Sequence, residues 1–183
     1  MASGYGGWRA VVQWHMADLL STLDFTRRDP PRTGHDLHAL LLEWLSHQRH
    51  EFLRKLRDLD AAGLATWSVP PVELSVLGLV RHMTQMENGY VVRGLGGGDP
   101  DMPYGDEDYA GGSPETVETD IAAYLAEVEK ADEVIAAMGS LDSVGAGSGW
   151  TLGATLVKMI DEYALHAGQA HMLRFAALGE MKR

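Results

Sequence analysis

The 183-residue chain is 45% apolar, enough for one sizeable core, and its formal net charge of −11 argues against a protein that lives on phosphate backbones. With no cysteine, disulfides, thiolate metal sites and a cysteine nucleophile are excluded, so any metal must be held by His, Asp or Glu. The N-terminus lacks the layout of a signal peptide and no apolar run reaches membrane-spanning length, so a cytoplasmic, soluble protein with no nucleic-acid or membrane partner is expected.

In chain order, Trp8, Val12, Met16, Leu19, Leu20 and Leu23 space out a short amphipathic helix, and RRDPPRTG reads as its linker. Residues 1–31 are therefore expected to form an N-terminal helical extension on a bundle spanning 32–183. From Asp36 to about Ala62, Leu37, Leu41, Trp44, Leu45, Phe52, Leu56 and Leu59 recur at helical intervals, with Gly63 as the expected stop. His47 and His50 lie beside Gln48 and Arg49, so a solvated face is expected there, as it is for His35 and His38.

TWSVPPVELS cannot continue a helix through its two prolines, and Ser75 can cap a second helix over about Val76 to Arg93. The following segment, GLGGGDPDMPYGDEDYAGGSP, is a long Gly-, Pro- and Asp-rich connection. Asp99, Asp101, Asp106, Glu107 and Asp108 do not have calcium-loop spacing, so a solvated, lid-like loop is expected.

A third helix is expected to start at Ser113 and Pro114, carry Val117, Ile121, Tyr124, Leu125, Val128 and Ile135 on one face, and end near Gly139. The last helix should run from about Thr151 to Ala177. No stretch alternates as a strand would, so the expected fold is all-α, a four-helix bundle with an N-terminal helical extension. Met83, Met86, Met159 and Met172 are expected in its core.

The polar residues of DEYALHAGQAHML raise the question of a metal. Residues four apart share a helix face, so Glu162 and His166 can reach one ion. His171 lies half a revolution from Glu162 and is left out. A catalytic zinc commonly takes three protein ligands. His82, among Leu79, Val80, Met83 and Met86, completes the set if the second and fourth helices are neighbours. Glu87, Tyr163, Gln169 and Met86 are candidates for orienting the ligands or lining the pocket, whereas His15 reads as a surface histidine.

The segments SVPPVELSVLGLVRHMTQMENGY and WTLGATLVKMIDEYALHAGQAHMLR, with LLEWLSHQRHEFLRKLRDLDAAGL, resemble the DinB/YfiT-like superfamily over about residues 32 to 180. The likeness is to its actinobacterial branch containing the mini-circle protein, related to the N-terminal domain of mycothiol-dependent maleylpyruvate isomerase. The resemblance implies a four-helix bundle holding a divalent metal through one histidine of the second helix and two ligands four apart on the fourth. Where that superfamily commonly reads H-x-x-x-H-x-G-Q, this chain reads E-x-x-x-H-A-G-Q, with Glu162 in the first position; the related isomerase uses a similar set of two histidines and a glutamate.

That donor set implies zinc first, with nickel, iron and manganese as alternatives. The resemblance also implies an S-transferase in which a metal-activated thiolate, from mycothiol or bacillithiol, attacks an electrophilic small molecule. The other readings are a metal-assisted hydrolase or natural-product tailoring enzyme, and a non-catalytic helical small-molecule-binding protein. Exposed bundle faces are compatible with a homodimer.

Overall fold

The computed structural model describes residues 16–32, 36–98 and 102–180. Six α-helices account for most of them: α1 (Met16–Thr22), α2 (Leu37–Leu53), α3 (Ala61–Ala65), α4 (Val76–Met86), α5 (Val117–Met138) and α6 (Leu152–Ala177). The β pairing among the described residues is a single antiparallel bridge, Val144 to Thr151. The fold is an all-α bundle, built on α2, α4, α5 and α6 as the long rods.

Caps set most of the boundaries. Asp36, Ser75 and Thr151 each accept a bond from the backbone N–H three residues on, opening α2, α4 and α6, and Gly139 closes α5 at a φ of 74°. Three boundaries differ from expectation. α2 tightens into a 3₁₀ turn over Arg54–Leu56 and stops, because Asp58 takes a φ of 64° and Asp60 caps a new helix through Gly63 N–H. Gly63 thus lies inside α3 and does not end α2. α5 begins at Val117, since Ser113 to Thr116 close a turn of their own. α4 does reach Arg93, but as a π-helix from Glu87 onward, a form that recurs at functional sites.

The pairing of side chains gives the helix directions. Phe52 meets Tyr163 and Arg57 meets Arg174, so α2 and α6 run parallel. Arg81 pairs with Asp120 and Asn88 with Glu127, so α4 and α5 run parallel as well. Two successive parallel helices need a crossover that travels the length of the bundle. Residues 102–116 run back antiparallel to α4: Tyr104 and Gly105 bond Gln85, Glu107 and Asp108 accept from Arg81, and Tyr109 lies against Gly78.

The return explains why α4 is covered on every side, with Val76 to Gln85 all buried. It also corrects part of the expectation of a solvated lid-like loop: Asp106 and Glu107 are exposed as expected, but Asp108 is buried against the bundle. Asp99 and Asp101 lie outside the described residues. Phe52, Tyr124 and Tyr163 form an aromatic layer at the centre, with ring centroids 6.0 and 5.8 Å apart.

Other side chains depart from their expected places. Arg49 and His50 turn inward and do not form a solvated face: Arg49 grips Glu87, and His50 Nε2 bonds the Thr26 carbonyl at 2.7 Å. Half-buried His47 packs its ring edge against Trp44. Met83 and Met159 are in the core and Met86 packs partly against it, but Met172 is 53% exposed. Met172 joins Leu165, Val72 and Val69 in an apolar groove beside α6. Of the N-terminal segment, Leu19 is buried, and Leu20, Leu23 and Phe25 pack on the core. Trp8, Val12, His15 and His35 lie outside the described residues.

Candidate metal centre

α4 and α6 are neighbours, and their packing brings His82, Glu162 and His166 together. One ligand atom from each lies within 4.8 Å of the others. Glu162 Oε2 is 3.2 Å from His166 Nε2 and 3.9 Å from His82 Nε2. Bonds of roughly 2.0–2.1 Å to a tetrahedral cation put ligand atoms about 3.3–3.5 Å apart, so these groups fit one ion with shifts of an ångström or so.

The far side of each imidazole fixes its tautomer. His82 Nδ1 donates to Asp108 Oδ2 at 2.7 Å, and His166 Nδ1 donates to Gln169 Oε1 at 2.7 Å. With Nδ1 protonated, a neutral ring keeps a lone pair at Nε2. Two such lone pairs and a carboxylate oxygen then converge on one small volume. Three acceptors facing one another repel unless a proton or a cation sits among them; His166 Nε2 and Glu162 Oε2 share a hydrogen bond at 3.2 Å, and with that proton gone the same atoms fit a divalent metal.

The charge balance favours the ligating forms. Burial pushes His82 below the ordinary histidine range, although Asp108 opposes this. Burial pushes Glu162 up, but its bond to Lys158 and that residue's charge outweigh this and leave the carboxyl below its usual range. Lys158, one turn before Glu162, holds the carboxylate oxygen that does not face the histidines. That division leaves Oε2 for an ion and opposes bidentate binding.

Asp108 and Tyr109, on the return segment, were not picked out from the sequence as partners of His82. Asp108 is fixed by bonds from Tyr109 N–H to its Oδ1 and from Arg81 Nε to its carbonyl. The Tyr109 ring stacks on His82 at 4.3 Å, and burial, with Asp108 and Glu162, pushes its hydroxyl up to about 12, so it stays a neutral phenol. The available signal was an acid-rich loop too long for a turn, beside a histidine that needs a carboxylate behind it.

The other expected helpers divide. Gln169 does bond a candidate ligand. Glu87 and Tyr163 are instead turned into a separate buried network: both Glu87 oxygens accept from Arg49 at 2.7 Å, Tyr163 OH donates to Glu87 at 2.6 Å, and Tyr124 OH donates to Tyr163 at 3.0 Å. They bond one another and Arg49, and none of the candidate ligands. His171 is turned away as expected, its ring edge on Phe175.

No described helix is long and apolar enough to cross a membrane. Neither the curated proteins nor the solved structures yield a match. The sequence does match the family model described as Mycothiol-S-transferase, over residues 40–179. That range takes in all three candidate ligands, Asp108 and all four long helices but for the first three residues of α2, and on it the chain belongs to the mycothiol S-transferase family, a DinB-like family.

Proposed function

We propose that this protein is a metal-dependent transferase that joins the sulfur of mycothiol to an electrophilic small molecule, with His82, Glu162 and His166 as the metal ligands. The observation that carries the reading is the convergence of three lone-pair donors, two of them oriented from behind by Asp108 and Gln169. Two imidazoles and one carboxylate suit zinc first among divalent ions, and leave a position for a guest. A divalent ion held there lowers the pKa of a thiol and so supplies thiolate at neutral pH.

The protein's own groups do the rest. His82 and His166 present their Nε2 atoms, Lys158 keeps Glu162 to one oxygen, and the Tyr109 ring covers one face of His82. In the transfer the thiol S–H gives up its proton to solvent or buffer. A new S–C bond forms at the electrophilic carbon, whose leaving group departs with its bonding electrons. Behind the rings, buried Asp108 and solvent-facing Gln169 hold the two imidazoles against rotation as charge develops.

The test is consumption of mycothiol in the presence of an alkylating acceptor, with bacillithiol as a parallel thiol. Turnover should require metal and vanish in His82→Ala and His166→Ala proteins that retain their helix content. Undiminished thiol-dependent turnover in both variants would overturn the proposal.

A further inference from the structure

Arg27, Arg54, Lys55, Arg57, His171 and Arg174 line one cleft of about 250 Å³. Five of the chain's 15 Lys and Arg residues thus converge on a single concavity of a protein whose net charge is −11. Among the described residues the acids paired with them are Glu51 and Asp58, which leaves a surplus of three positive charges there. The cleft lies between the ends of α2 and α6, on a different face of α6 from His166.

Two guanidiniums are held in place by only part of their donor set. Arg54 donates through Nε to the Phe25 carbonyl at 3.1 Å and through Nη1 to Glu51 at 2.7 Å. Arg174 donates through Nε to the Arg57 carbonyl at 2.9 Å and through Nη2 to Asp58 at 2.5 Å. Each keeps a terminal nitrogen with no bond among the described residues. Arg57 comes no nearer to Asp58 than 3.7 Å, and Lys55 makes one bond to Glu51, at 3.3 Å. A need to neutralise helix C-termini accounts for a cation or two. It does not account for five, from three separate segments, around a hollow.

We propose that this cleft is a binding site for the phosphoryl group of a small molecule. Guanidiniums held in advance lose little freedom on binding, and their fork suits oxyanions. Donors arriving from the segment after α1, the end of α2 and the end of α6 surround a tetrahedral dianion better than a planar carboxylate, which offers its oxygens in one plane. Concave walls of one sign focus the field and raise the local anion concentration.

His171 is a built-in reporter. Burial first, then Lys55, Arg174 and Arg57, lower its pKa, so a dianion seated among those cations should raise it again. The charged groups around it are Lys55, Arg54 and Arg57 with Glu51 from the α2 end, Arg174 on α6, Arg27, and Asp58.

Pyrophosphate, inorganic phosphate and citrate are titrated into the full-length protein, with His171 ring resonances followed by NMR across pH. Pyrophosphate should produce a saturable shift and a higher His171 pKa, and citrate a much weaker response. Arg57→Gln should weaken pyrophosphate binding about tenfold, as expected for one charge-assisted bond. Lys55→Gln, at a second partly exposed position, should act in the same direction. His166→Ala should leave binding unchanged, which separates the cleft from the candidate metal centre. Absence of a saturable His171 response, wild-type affinity in both glutamine variants, or tighter binding of citrate would overturn the proposal.

Discussion

Asp108→Ala removes the acceptor behind His82 while leaving all three candidate ligands in place. In the wild type Asp108 Oδ2 lies 2.7 Å from His82 Nδ1, and the carboxylate is itself held by Tyr109 N–H at 2.8 Å. Loss of such an orienting partner typically costs about 10–100-fold in metal affinity, or roughly 1.4–2.7 kcal/mol. The proton works the other way. Asp108 supports the charged form of His82, so its removal lowers the imidazole pKa further and reduces competition from protons. A fall in affinity would therefore report lost orientation and not altered titration. Competition against a chromophoric chelator at pH 7.5, with the His82 pKa read by NMR, measures both. Zinc affinity within about twofold of wild type, with a lowered His82 pKa, would refute an orienting role for Asp108.

Arg49→Met should destabilise the fold by about 3–5 kcal/mol in urea denaturation, because it strands the fully buried Glu87 carboxylate; a loss under about 1 kcal/mol would contradict that view of the network. Gly78→Ala sets a Cβ 2.3 Å from the Tyr109 carbonyl, and should cost about 1–3 kcal/mol while weakening metal binding, since the return segment must shift. For pH, His82 lies below its unfolded value near 6.5, so as pH falls beneath 6.5 the unfolded chain takes up protons first and the metal-free fold loses stability until His82 itself protonates. Glu162 lies below its unfolded value of 4.5; its contribution is present above pH 4.5 and lost as pH falls through its folded value. Glu162→Gln should remove the second of these phases in acid unfolding followed by circular dichroism and enlarge the first, because Glu162 supports the charged form of His82.

The long helices were legible from their apolar spacing, and Ser75 caps α4 and α6 starts at Thr151 as expected, whereas Ser113 and Pro114 close a turn ahead of α5. The possible partnership of His82 with Glu162 and His166 was legible for a similar reason, since helical spacing fixes a face and only adjacency of two helices remained open. What escaped was set by tertiary contact. Arg49 and His50 look like surface residues because nothing local reveals Glu87, 38 positions away, or the Thr26 carbonyl. Asp108 and Tyr109 escaped because loop composition predicts solvation, whereas the parallel order of α4 and α5 forces that loop back across His82. Met172 carries no mark in the sequence that separates it from Met83, yet it is exposed and Met83 is fully buried.

The most direct measurement is the metal content and X-ray absorption spectrum of the protein purified without an affinity tag, alongside the His82→Ala and Glu162→Ala variants. One divalent ion per chain is expected, with imidazole scattering from two histidines at about 2.0–2.1 Å, and each variant should lose most of the metal on mild dialysis. A wild type without bound metal, or variants that keep a full equivalent with unchanged scattering, would contradict a centre built on these three side chains.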